Sequence, residues 1–98
     1  MSAGRYTVYI LRCADGSLYT GITVDLERRL AAHVAGTASR YTRSRRPLAL
    51  AWSRGRQRPT DARKLEYALK QLTRADKLAL VGGDDRIWRR LRRRVLGR

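Results

Sequence analysis

The chain has 98 residues, enough for one domain that buries roughly two-thirds of the surface its unfolded form exposes, and a second folded domain is not expected. Its 23 basic and 8 acidic side chains leave a formal charge of +15, a self-repulsion that a polyanion such as nucleic acid relieves. Cys13 is the single cysteine, which excludes an intrachain disulfide and a zinc cluster built on several thiolates; no apolar run approaches the roughly 18 residues of a membrane helix, and a reducing, cytoplasmic setting is expected.

Arginine outnumbers lysine 20 to 3. Guanidinium groups fork onto phosphates and stack on bases, so the imbalance suits phosphate recognition, although a base-composition bias in the genome would produce the same excess. Residues 6–13 and 18–23 are rich in β-branched and aromatic types and read as two strands. Ala14-Asp15-Gly16 between them reads as a hairpin loop. A two-residue Asp15-Gly16 turn pairs Ala14 with Ser17 and sends Tyr9 and Tyr19 to opposite faces. A three-residue loop with Gly16 in the left-handed conformation pairs Leu11 with Tyr19 and Tyr9 with Gly21. Both tyrosines then share a face, and Gly21 opposite Tyr9 is expected to leave room for a ligand.

Thr23 or Asp25 can cap a helix running to about Ala35, with Gly36 as its stop. Leu26, Leu30 and Val34 form its expected packing stripe, with Arg29 and His33 together on an adjacent one. Residues 37–46 read as an irregular loop closed by Pro47, in which Arg40, Tyr41, Arg43, Arg45 and Arg46 offer cations and an aromatic to phosphates and bases. Residues 48–53 alternate loosely around Trp52 as a third strand, followed by a basic connector over 54–59.

Thr60 or Asp61 opens the next helix, with Ala62, Leu65, Leu69 and Leu72 as its buried stripe and Glu66 and Lys70 beside it, Lys70 being a further expected contact to nucleic acid. Thr73 followed by Asp76 marks a new helix start, ending at Gly82-Gly83. Residues 84–98 carry a basic amphipathic helix: Ile87, Leu91 and Val95 lie on one stripe, while Arg89, Arg90, Arg93 and the other arginines, Arg98 included, are expected to bind nucleic-acid backbone. No internal repeat is visible. The expected fold is α+β: a small, mainly antiparallel three-stranded sheet flanked by helices.

Thr7-Val8-Tyr9, Tyr19-Thr20-Gly21, Arg29 ten residues after Tyr19, His33 four later and Glu66 on the helix after the third strand occur in an order and spacing that resemble the GIY-YIG nuclease family, specifically its small stand-alone members of about a hundred residues. The resemblance spans roughly residues 6–80. The first motif keeps only its tyrosine and the second keeps tyrosine and glycine. The resemblance implies a metal-dependent endonuclease acting on DNA, with RNA as a second substrate class. Tyr9 is favoured as general base, Tyr19 as the group orienting water or phosphate, and Arg29 and His33 as catalytic partners. Glu66 is the implied ligand of Mg²⁺ or Mn²⁺. Free phenol ionises near pH 10, so base catalysis by Tyr9 calls for a neighbouring cation that lowers its pKa. The competing expectation is a nucleic-acid-binding module on the same scaffold with weak or no turnover.

Overall fold

The computed structural model describes residues 4–97; Arg98 lies outside them. Its elements in chain order are β1 (Tyr6–Arg12), β2 (Leu18–Thr23), α1 (Leu26–Ala35), α2 (Arg40–Arg43), β3 (Ala49–Gln57), α3 (Pro59–Gln71), α4 (Arg74–Val81) and α5 (Asp85–Leu96). The fold is α+β, with an antiparallel three-stranded sheet in the order β2-β1-β3.

The hairpin takes the three-residue loop. The Cys13 amide donates to the Ser17 carbonyl and the Gly16 amide to the Cys13 carbonyl, both at 2.9 Å, and Gly16 has φ +85°, a conformation open to glycine at little cost. Asp15 locks the loop by accepting from the Ser17 amide at 3.0 Å and the Ser17 hydroxyl at 2.6 Å. Leu11 therefore pairs with Tyr19 and Tyr9 with Gly21.

Central β1 is covered on both sides, which is why Val8 through Leu11 are all buried rather than alternating. Val8 and Ile10 join Trp52 of β3, Leu65 and Leu69 of α3, Leu80 of α4 and Trp88 and Leu91 of α5 in the hydrophobic core. Tyr9 points to the other face, where His33 of α1 and Tyr19 of β2 pack against it. Asp25, Thr73 and Asp84 cap α1, α4 and α5 through their side chains, each satisfying a backbone amide that the helix leaves open.

Four local expectations are corrected. Strand β3 continues to Gln57, through residues expected as a connector, because β1 reaches back to Tyr6 and offers Gln57 a partner. The 37–46 stretch is ordered by α2, whose Thr42 amide donates to the Ser39 hydroxyl at 3.1 Å. Pro59, rather than Thr60 or Asp61, opens α3; its missing amide hydrogen costs nothing at a first helical position. On α1, Val34 is 67% exposed and His33 is the buried residue. Polar partners on both ring nitrogens let the imidazole replace valine in the interface.

Candidate active site

The shared face of the hairpin brings the Tyr9 and Tyr19 rings to a centroid separation of 6.5 Å, tilted by 44°. Helix α1 sets His33 edge-on against both, at 5.8 Å from Tyr9 and 5.4 Å from Tyr19. Tyr9 Oη and His33 Nε2 are 3.0 Å apart, and His33 Nδ1 lies 2.9 Å from Thr42 Oγ1. In the neutral ring protonated at Nδ1, the Tyr9 hydroxyl donates to Nε2 and Nδ1–H donates to Thr42. The Thr42 hydroxyl, 2.8 Å from the Ser39 hydroxyl, extends the chain to four side chains with no buried group left over. Tyr9 and His33 are each 1% exposed and Thr42 is fully buried. Sequence reading missed Thr42 and Ser39, because nothing in a serine and a threonine three apart indicates that an imidazole will sit above them.

Gly21 has a different role from the one expected. A Cβ built there would lie 2.5 Å from Tyr9 Oη and 2.6 Å from Cζ. The space that glycine leaves is filled by the protein's own phenol, so Gly21 seats the Tyr9 ring rather than a ligand.

Burial first, then neighbouring Tyr19 and, more weakly, Glu66, push the Tyr9 hydroxyl up to about 12 against the opposing effect of Arg29. At this hydroxyl, desolvation of a phenolate outweighs the lowering by the one guanidinium beside it. The same balance shows that Arg29 and Glu66, from α1 and α3, both act on this hydroxyl. His33 is held below its ordinary value, by burial first and Arg29 second, and is neutral at physiological pH.

This shift has a consequence for stability. The unfolded imidazole protonates near 6.5 and the folded one only below that, so in the window between them the unfolded state binds more protons. Stability is expected to fall as pH drops from 6.5 through the lowered folded value, and to be fully present above 6.5. Urea midpoints measured from pH 8 to pH 5 check this, and His33→Gln should flatten the slope. Asp15 and Asp84 also have lowered values but start from 3.8, below this window.

Around the buried cluster lies a second layer. Tyr41 stacks on Tyr19 at 5.9 Å and 29°, and the Arg45 guanidinium lies 3.7 Å over the Tyr41 ring. Arg45 is pinned by Asp15 at 3.0 Å and by the Tyr41 carbonyl at 2.9 Å. Arg46 donates to the Val34 carbonyl at 3.1 Å and the Arg43 carbonyl at 3.0 Å, tying α2 to the end of α1. Arg40, Arg43 and Arg46 line one cleft and Arg28 and Arg29 a second, and the two meet at Thr37. Arg28 is a cleft residue that sequence reading overlooked.

The C-terminal arginines lie elsewhere. Helix α5 packs on α3 and α4 over the Val8 and Ile10 face, and the structure does not bring Arg89, Arg90 or Arg93 to the tyrosines. Arg89 pairs with Asp85 at 3.1 Å and Arg90 with Asp76 at 3.5 Å, while Arg93 is exposed.

Among the described residues no three His, Cys, Asp or Glu side chains gather as a ready-made metal site. Glu66 nevertheless suits a hard divalent cation. Its side chain is 25% exposed and its ion pair with exposed Lys70 is long, at 3.6 Å, so the carboxylate is open to exchange. A lone carboxylate leaves the remaining positions to water and substrate phosphate, as magnesium prefers.

A family model described as the GIY-YIG catalytic domain matches residues 5–79. A UPF0213 protein of Halobacterium salinarum is 45% identical over 73 residues, covering 74% of this chain and 95% of that protein. Another, from Natronomonas pharaonis, is 43% identical over 84 residues, covering 86% and 98% respectively. The solution NMR structure of a UPF0213 protein from Bacillus halodurans superimposes with a TM-score of 0.53 at 41% identity, covering 80% of this chain and 83% of that one. Among the described residues no helix is long and apolar enough to cross a membrane.

Proposed function

Because the chain belongs to the GIY-YIG family of nucleases, we propose that it hydrolyses phosphodiester bonds in DNA as a metal-dependent, structure-selective endonuclease. The observation that carries this reading is the buried 3.0 Å contact between Tyr9 and His33, on whose hydroxyl both Arg29 and Glu66 act. A proton acceptor, a phosphate-binding cation and a metal-binding carboxylate are the parts that the reaction needs.

Tyr9 need not ionise in advance. As the attacking water approaches phosphorus, Tyr9 Oη takes its proton while passing its own to His33 Nε2, whose lone pair is free in the neutral ring. The O–P bond to water forms as the bond to the leaving oxygen breaks; the departing alkoxide takes a proton from solvent and His33 returns its extra proton to solvent, giving a phosphomonoester and an alcohol and restoring the neutral imidazole. Tyr19, partly exposed, orients the water, and Arg29 compensates the charge gathering on the phosphate. Thr42 holds the His33 tautomer that can accept. A divalent ion held by Glu66 would supply further positive charge to the phosphate and leaving oxygen. Arg28, Arg40 and Arg43 line the clefts along which the substrate backbone would run.

One observation favours the alternative, a binding module without turnover: Tyr9 and His33 are each only 1% exposed, so the hydroxyl offers little surface to an attacking water. Labelled single-stranded, duplex, branched and flap DNA, with matched RNA, incubated with the protein in Mg²⁺ or Mn²⁺, separates the two. The endonuclease reading expects metal-dependent cleavage that Glu66→Gln and Arg29→Ala each reduce about a hundredfold or more, with binding retained. Binding to these substrates without cleavage of any would establish the module instead.

A further inference from the structure

A groove between α3 and α5 lies outside the site above. Arg63, Lys64, Tyr67, Gln71, Arg94 and Val95 line this space of about 550 Å³, within the range of pockets that hold small ligands. Arg63, Tyr67 and Gln71 follow at four-residue spacing on the outer face of α3, and Tyr67 stands 70% exposed. A tyrosine ring left in water forgoes the burial that normally makes aromatics stabilising. Lys70, Arg89 and Arg90 have carboxylate partners, whereas Arg63, Lys64 and Arg94 form no ion pair among the described residues.

An exposed aromatic ringed by unpaired cations matches one class of ligand better than others. The face of an unpaired base stacks on the ring while its backbone phosphates meet the cations. A duplex keeps its base faces stacked on each other and cannot use Tyr67, and on a chain of net charge +15 a polyanion is the partner that relieves the self-repulsion. The groove shares α3 with Glu66. Glu66 immediately precedes Tyr67, and successive helical side chains diverge by about 100°, so the groove opens around α3 from the carboxylate.

We propose that this groove binds an unpaired segment of nucleic acid, with one base stacked on Tyr67 and adjoining phosphates on Arg63, Lys64 and Arg94. The inference rests on nucleic acid being the ligand of the protein, and narrows that ligand to one carrying unpaired nucleotides.

Fluorescence anisotropy of the full chain in EDTA, with labelled dT and U oligomers of about ten nucleotides and a blunt duplex, reads binding without cleavage. Tyr67→Ser is expected to weaken oligomer binding about tenfold or more, Tyr67→Phe to retain it, and duplex binding to stay within twofold in both. The Arg63→Ser/Lys64→Ser/Arg94→Ser variant should reduce the steepness of the single-strand salt dependence by about 2. Ultraviolet crosslinking of a bromouridine-containing oligomer should map to Tyr67. Unchanged oligomer affinity in Tyr67→Ser overturns the proposal, as does a sedimentation shift to a smaller species showing that the groove joins two copies of the chain. A protein that cleaves nothing yet binds dT through Tyr67 would sink the endonuclease reading and leave the groove standing. Cleavage untouched by Tyr67→Ser with unchanged affinity would do the reverse.

Discussion

Tyr9→Phe is expected to cleave on the order of 10²–10⁴-fold more slowly than the parent chain, the usual weight of one positioned proton-transfer group. The ring stays, so its packing against Tyr19 and His33 stays; the hydroxyl that bridges water to His33 Nε2 goes. Removing it strands a ring nitrogen in a residue only 1% exposed, at a cost of about 1–3 kcal/mol. Thermal melts must therefore accompany the kinetics. The pH profile then separates the relay from a simple phenolate base. With the phenol pushed up to about 12, a mechanism needing preformed phenolate accelerates tenfold per pH unit across the alkaline range. The relay needs Tyr9 protonated and His33 neutral, so its rate rises through the lowered His33 value and is flat by about pH 7. A continuous alkaline climb would remove His33 from the mechanism.

Gly21→Ala is expected to be at least as damaging, though it removes no functional group. The added methyl would stand 2.5 Å from Tyr9 Oη, closer than any relaxed contact, and the phenol can yield only by leaving His33. Overpacking of this kind costs about 1–3 kcal/mol, and the displaced hydroxyl should reduce cleavage about a hundredfold or more through misplacement alone. The informative pair is Gly21→Ala with Tyr9→Phe. The phenylalanine keeps the ring carbon Cζ that the added methyl would meet at 2.6 Å, so the double variant should melt no higher than Gly21→Ala and stay as inactive as Tyr9→Phe. A Gly21→Ala protein with parental rate would show that the hydroxyl does not need its present seat.

The elements were legible wherever local chemistry decides them. Asp25 and Gly36 bracket α1, Thr73 opens α4 and Gly16 turns the hairpin, each because a backbone group needs a particular side chain or a left-handed φ within three or four residues. Strand β3 was read too short because its last residues have little strand propensity; pairing with Tyr6 holds them. Residues 37–46 read as a loop because the sequence does not reveal that Ser39 and Thr42 gain a buried imidazole as partner.

By itself, the sequence determined the α+β class, the order of the elements apart from α2, and the family, since those rest on spacing and residue type. It left the loop length open between two registers that differ by one residue and by the face on which Tyr19 falls. Only the tertiary structure decided that the tyrosines share a face, that Gly21 seats Tyr9 rather than a ligand, and that Arg45 and Arg46 are held within the fold. The direction of the Tyr9 shift also belongs to the structure. A neighbouring arginine is visible in a sequence, whereas the loss of water around a hydroxyl depends on every element packed over it.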